Sequence, residues 1–374
     1  MDSRFALDSD NLQRVHLWDS EDLTKLPRII SDHEGKLTDI AIDRDGRWLA
    51  TAATDAKTRI YDLQYPKKPP LELGGHEYLV SVLAFDPRGR WLATGGGEGS
   101  VAIRDLRSLN SEPSYLPLGS PGEVHLIRID PTGQWLAAYN GGGALYVWNC
   151  DQFNEQPLVL HHPAGIDAVA FDPADQRLST VDHVGIIRFW DLPKPEQARA
   201  KLVPESTHIA GASEGWTSSG VLFDPQGQWL AASRGRYARI WALPDLDAAP
   251  TMIRLADAPI GSMTVDRNSQ WIASAAGDYV YLWDPKHLSA GPFRLHHPAP
   301  VTAFGFDPTG RWLVTGSVDH AVRLWDLDID HIRNQACTTA GRNLSCDEWH
   351  AVRGDDPYKG TCDAWPVPNC ASTP

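Results

Sequence analysis

Along this chain, apolar runs of five or six residues alternate with short segments rich in Gly, Pro, Asp and Ser. Residues 300–327, PVTAFGFDPTGRWLVTGSVDHAVRLWDL, show the unit most completely. Val301–Phe306 is apolar at consecutive positions, the pattern of a strand covered on both faces. Asp307-Pro308-Thr309-Gly310 is a turn in which Pro presets one φ and Gly can take the positive one. Trp312–Ser317 is a second strand, Val318–His320 a second turn, and Ala321–Trp325 a third strand. A three-stranded antiparallel sheet this apolar cannot bury both faces alone. It requires similar sheets stacked on each side.

The rest of the chain supplies them. Positions equivalent to Trp325 are Trp283, Trp241, Trp190, Trp148, Arg104, Tyr61 and Trp18, spaced by 42, 42, 51, 42, 44, 43 and 43 residues. The pair Trp-Asp stands at Trp18-Asp19, Trp190-Asp191, Trp283-Asp284 and Trp325-Asp326, with Tyr61-Asp62, Arg104-Asp105, Trp148-Asn149 and Trp241-Ala242 in the other slots. A Trp-Asp signature at a period of 40–45 residues resembles the WD-repeat (WD40) β-propeller family, one four-stranded blade per repeat. The resemblance implies an all-β fold, a seven-bladed WD40 β-propeller with a short helical C-terminal tail; the alternative is eight blades. Residues 1–25 hold only the second and third strands of a repeat, as in a chain that begins inside one. Residues 26–327 form seven repeats and 328–374 the tail. Eight third strands but seven first strands leave a count to reconcile. Seven blades close if Leu26–Ile30 completes the last blade beside Ala321–Trp325.

Six repeats carry a Trp after the first turn (Trp48, Trp91, Trp135, Trp229, Trp271 and Trp312), expected to pack between blades. Third strands alternate aliphatic residues with Arg59, Arg188, Arg239 or Arg323. The resemblance further implies a buried polar network of His, Ser or Thr, Asp and Trp within a blade. His297, Ser317, Asp319 and Trp325 match all four offsets. The first repeat keeps His33 and Asp55, the second His76, and the fourth His162 and Trp190. Because these offsets recur with the repeat and do not converge, the role expected for them is structural. Pro193–Gly215, the longest interval, is expected to be a surface insertion.

Beyond Asp326 the period stops. Ile329–Thr339 is expected to be a helix ending at Gly341, and Ser345 with Glu348 fits a capping box opening a second helix through Val352. Cys337, Cys346, Cys362 and Cys370 contain no Cys-x-x-Cys pair, which disfavours structural zinc. Reduced cysteines are the leading expectation and a Cys337–Cys362 cross-link the alternative. The run CTTAGRNLSCDEWHAVRGDDPYKGTC resembles the tail that follows propellers in large bacterial multidomain proteins. In those proteins an NTPase, kinase or protease domain lies upstream.

Composition narrows the function. Lys plus Arg number 34 against 48 Asp plus Glu, a net charge of −14, without a basic tract. That argues against nucleic-acid and anionic-membrane partners. MDSRFALDSD has no signal-peptide character, so the expected location is cytoplasmic. The Gly-rich runs at Gly95–Gly99 and Asn140–Gly143 open no helix and lack the Lys-Ser/Thr of a phosphate loop. No cofactor or metal is expected. Two function classes remain: a non-catalytic platform for a protein or peptide partner, and an enzyme with its site in the central channel. The first strands are apolar apart from Asp39, Arg128 and Asp167, which favours the platform. Tyr78 and Trp216 enter their blades at one end of the ring, where Arg234, Arg236 and His183 should join them as a partner-binding patch.

Overall fold

The computed structural model describes residues 5–9, 15–19, 28–30, 33–173, 177–183, 186–192, 220–243, 248–254, 262–307, 309–319, 321–353, 358–362, 364–368 and 370. Seven blades follow one another, each opening on an inner strand: Leu37–Ile42, Val80–Phe85, Leu126–Ile129, Ile166–Phe171, Gly220–Phe223, Met263–Val265 and Val301–Phe306. Within every blade the next two strands return antiparallel beside it, at the register the Trp-Asp period requires. Trp190 lies opposite Leu178, Trp283 opposite Ile272 and Trp325 opposite Leu313. A fourth, outer strand completes the first, second, third, fifth and sixth blades; among the described residues the fourth and seventh have three strands. The molecule is a seven-bladed β-propeller.

The N-terminal segment forms an additional sheet of β1 (Phe5–Ser9), β2 (Val15–Asp19) and β3 (Arg28–Ile30). β3 pairs with β2, Val15 opposite Ile30, and so does not complete the last blade beside Ala321–Trp325 as expected. The physical reason is locality. Closing the short connection after β2 costs less chain entropy than reaching the far end of the chain. The pairing also buries Ile30, Val15 and Leu17 against Leu49, Tyr61 and Leu63 of the first blade.

The core lies between blades. Ile103 and Leu118 of the second blade meet Ile127, Leu136 and Trp148 of the third. The signature residues Trp148, Trp190, Trp241 and Trp283 each pack on the blade before their own. Each leucine buried this way contributes roughly 1.5–3 kcal/mol relative to an exposed one. Inner strands lie side by side from the first blade to the seventh. At the end of that row, Val301–Phe306 departs from expectation: Thr302 and Ala303 are exposed and the other four residues half-buried. Of the six inter-blade tryptophans, Trp91 and Trp271 are buried, with 6% and 9% exposure.

In the tail, α1 spans Ile329–Ala340 and α2 Cys346–Arg353. Asp328 caps α1 by accepting from His331 N, and Gly341 closes it with φ 64°. The capping box forms: Glu348 N donates to Ser345 Oγ at 3.2 Å, and Ser345 N to Glu348 Oε2 at 2.7 Å. The cysteines do not remain reduced. Cys337 bonds Cys362 and Cys346 bonds Cys370, leaving Cys150 as the free thiol. The first bond is the cross-link named as the alternative; the second was not expected, and Asn343 holds Cys362 and Trp365 in place beside the helices.

Candidate binding face of the ring

The first-turn aspartates build one end of the ring. Six of them (Asp43, Asp86, Asp130, Asp172, Asp224 and Asp266) have 6% exposure or less. Their carboxylates reach across the turn to the start of the second strand. Trp48 N donates to Asp43 at 2.7 Å, Trp135 N to Asp130 at 2.6 Å and Trp312 N to Asp307 at 2.7 Å. Asp266 accepts from Asn268 N, Gln270 N and Trp271 N at 2.9, 2.6 and 2.6 Å. Neighbouring blades are tied together here as well. Arg90 donates to Gly133 O at 2.7 Å, Asn268 Nδ2 to Thr309 O at 2.8 Å, and Ser269 Oγ to Asp224.

Within the blades the polar network forms around a residue the sequence reading missed. His297 Nε2 lies 2.7 Å from Thr315 Oγ1, and Trp325 Nε1 donates to the same oxygen at 2.9 Å. Ser317 belongs to a separate group with Asp319 and Arg323. The expected tetrad is therefore two clusters, His297–Thr315–Trp325 and Ser317–Asp319–Arg323. The same hydroxyl recurs 18 residues after the histidine as His33–Thr51, His76–Thr94 and His162–Thr180, at 2.7, 2.7 and 2.8 Å. Trp190 Nε1 also donates to Thr180, at 3.0 Å. The spacing of 18 was the available signal. The corresponding positions in blades without the histidine are Ala138, Ala232 and Ser274. In the sixth blade Ser274 Oγ and Trp283 Nε1 are buried with no hydrogen-bond partner.

Burial holds the His162 and His297 imidazoles below the ordinary histidine pKa, so both are neutral at pH 7. The Nδ1 side of each faces a backbone carbonyl, Leu160 O at 3.0 Å and Leu295 O at 3.3 Å. That places the proton on Nδ1 and leaves Nε2 to accept from the threonine hydroxyl. Asp55 shows the opposite balance. Burial raises its pKa, but hydrogen bonds from His33 and Arg59 outweigh that and leave it at about 2. Arg323 and Ser317 likewise hold Asp319 below the usual carboxylate range.

The described residues expected to form a partner-binding patch lie at the strand ends opposite the first turns. Tyr78 precedes the second blade's inner strand with 60% of its surface exposed. It crosses the turn at Gly97, where an added Cβ would come within 2.8 Å of the Tyr78 Cβ. His183 stands on the fourth blade, exposed and paired with Asp167. Any side chain at Gly165 would run into its ring. Arg234 and Arg236 flank Gly235 in the two-residue turn between the second and third strands of the fifth blade. The patch residues thus stand on three separate blades. Trp216 and the insertion at Pro193–Gly215 lie outside the described residues.

Of the channel exceptions, Asp39 and Arg128 act on each other as opposite charges, while Asp167 is engaged separately. Both Asp39 oxygens accept backbone N–H groups at 2.8 Å, from Ile40 and from Leu83 of the next blade. Burial nevertheless raises its pKa. Arg128 donates to its neighbour's carbonyl, Ile127 O, at 3.0 Å, and burial lowers its pKa. Asp167 is engaged by His183. Among the described residues no group of three or more His, Cys, Asp or Glu side chains could hold a metal ion.

The family model "WD domain, G-beta repeat" matches residues 24–62, 67–105 and 292–326. These are WD40 repeats. Each match ends on the second residue of the signature pair: Asp62, Asp105 and Asp326. Each also contains a histidine and its threonine partner. The fourth repeat has His162 and Thr180 but is not matched, and it departs from the pattern with Leu178 after its first turn. No curated protein matches the chain. Among the described residues no helix is long and apolar enough to cross a membrane.

Proposed function

We propose that the chain is a non-catalytic protein-interaction scaffold that presents the blade-entry end of its ring to a protein or peptide partner. WD40 propellers commonly bind protein partners. The observation that carries the reading is Tyr78, a large aromatic side chain 60% exposed at that end. An exposed aromatic at the entry to a strand offers contact area, and such residues dominate interface energies. His183 and Arg236 supply polar contacts on other blades, and Trp216 and Arg234 complete the patch in our reading. A binding role is favoured over catalysis because the acidic groups of the channel are already engaged: Asp39 by backbone N–H groups and Asp167 by His183. The resemblance of the tail to those of bacterial multidomain proteins supports a signalling or defence-type setting, with an enzymatic domain upstream.

The test compares wild type with Tyr78→Ala/Trp216→Ala in affinity capture, alongside thermal melts. Loss of the captured partner at an unchanged melting temperature supports the proposal. A drop of several degrees would place the aromatics in the core and remove the patch.

A further inference from the structure

The tail is built differently from the propeller. Among its described residues only Asn343 and Cys362 are buried, with 4% and 7% exposure. Every described side chain of α1 is exposed except Cys337, which is half-buried. An isolated helix of 12 residues is marginal in water, so apolar packing does not account for α1. Two other features hold the segment together. Asn343 is a polar hub: its carbonyl oxygen accepts from Thr361 N and Cys362 N at 2.9 and 2.7 Å, and its amide donates to Trp365 O and Pro366 O at 2.7 and 3.0 Å. The disulfides add two covalent ties from that same return segment, one to α1 through Cys337–Cys362 and one to the first residue of α2 through Cys346–Cys370. In sequence order the two bridges interleave, first cysteine to third and second to fourth, so neither helix can leave without breaking a bond.

We propose that the tail is a thiol-controlled module: oxidised, it holds α1, α2 and the segments 358–362 and 364–368 with Cys370 as one body; reduced, it loses that arrangement while the propeller keeps its own. The chemistry is exchange with a dithiol. A thiolate of the donor attacks one cysteine sulfur and expels the other as thiolate, and the donor's second thiolate then resolves the mixed disulfide. Each bridge gains two electrons and two protons, and each dithiol becomes a disulfide. The reverse reaction with a disulfide oxidant restores the tail. The propeller is insulated from this chemistry because its one cysteine, Cys150, is buried and unpaired. Disulfides persist where the surroundings are oxidising. The folded tail therefore belongs to an oxidising setting and the released tail to the cytoplasm.

The experiment uses the full chain equilibrated in a glutathione redox buffer, then treated or not with dithiothreitol. Denatured without reductant, the oxidised chain should show one free thiol, Cys150, and after reduction all five. Peptide mapping should link 337 to 362 and 346 to 370. Hydrogen exchange across 329–353 should accelerate by at least about tenfold on reduction, while the inner strands keep their protection. The combined variant Cys337→Ser, Cys346→Ser, Cys362→Ser and Cys370→Ser should reproduce the fast exchange without reductant. Five free thiols in the oxidised buffer, a different pairing, unchanged tail protection after reduction, or loss of propeller protection together with the tail would each overturn the proposal.

Discussion

The two ends of the ring are made from the same repeats, yet they are finished in opposite ways. At the first-turn end, Asp86, Asp224 and Asp266 are fully buried and accept from backbone N–H groups, joined at Asp86 by the Arg90 side chain and at Asp224 by the Ser269 hydroxyl. Arginine and asparagine side chains join one blade to the next. At the blade-entry end, the turns are glycine-rich and Tyr78 projects into solvent. A buried carboxylate is retained only where its lone pairs are filled, so the first end is committed to stability. The second end makes comparable commitments in some blades, where Asp55, Asp182 and Asp319 pair with Arg59, Arg188 and Arg323, and varies its side chains in the others. This division is what a presenting scaffold requires.

The largest effect should come from breaking the committed end. Replacing Asp266 by Ala leaves three backbone N–H groups without their acceptor and should cost roughly 3–5 kcal/mol, measured as a shift in the denaturant midpoint. A loss below about 1 kcal/mol would show that these turns do not depend on their carboxylates.

The blade networks come next. Thr180→Val keeps the shape but leaves His162 Nε2 and Trp190 Nε1 without their partner, an expected loss of about 1–3 kcal/mol. Ser274→Val in the sixth blade should cost less than about 1 kcal/mol, because Ser274 and Trp283 have no hydrogen bond to lose. Equal losses at the two positions would refute the assignment of threonine as the hub.

Protonation gives a smaller, graded effect. Burial depresses the pKa of His162 and His297, so the unfolded chain binds protons more readily than the folded one. The stability these neutral imidazoles contribute is present above the ordinary histidine pKa and is lost as pH falls through it. Melting temperature should therefore decline between about pH 7.5 and 5.5, and His162→Gln should flatten that decline. A slope that the substitution leaves unchanged would assign the effect to other groups.

Much of this was legible beforehand, for reasons tied to particular residues. The Trp-Asp period gave blade number, strand order and register, because a repeat must place Trp190, Trp283 and Trp325 at one structural position. The hub threonines were missed although their spacing of 18 from the histidine is regular. Ser317 and Asp319 also matched the offsets expected of the network and drew the assignment away from Thr315. The turn aspartates were visible only as companions of Pro and Gly, since sequence does not show a carboxylate folding back to N–H groups four and five residues on. The partner of Arg28–Ile30 was not legible, and of the cysteine pairing only Cys337–Cys362 was anticipated, as the alternative to reduced thiols. Burial of Ile30 in the one case, and the Asn343 hub that brings the later cysteines onto the helices in the other, are tertiary effects that spacing does not display.

The smallest stability effect belongs to the presenting end, and it leads to the decisive measurement. Tyr78→Ala should change stability by no more than about 0.5 kcal/mol, as exposed substitutions do. Binding of a captured partner should then be titrated against wild type, Tyr78→Ala/Trp216→Ala, and Arg88→Ala at the first-turn end, where Arg88 donates to Thr132 O. Affinity should fall by at least about tenfold for the double variant and stay at the wild-type level for Arg88→Ala. Undiminished binding by the double variant, or an equal loss in Arg88→Ala, would contradict the presenting role of that end.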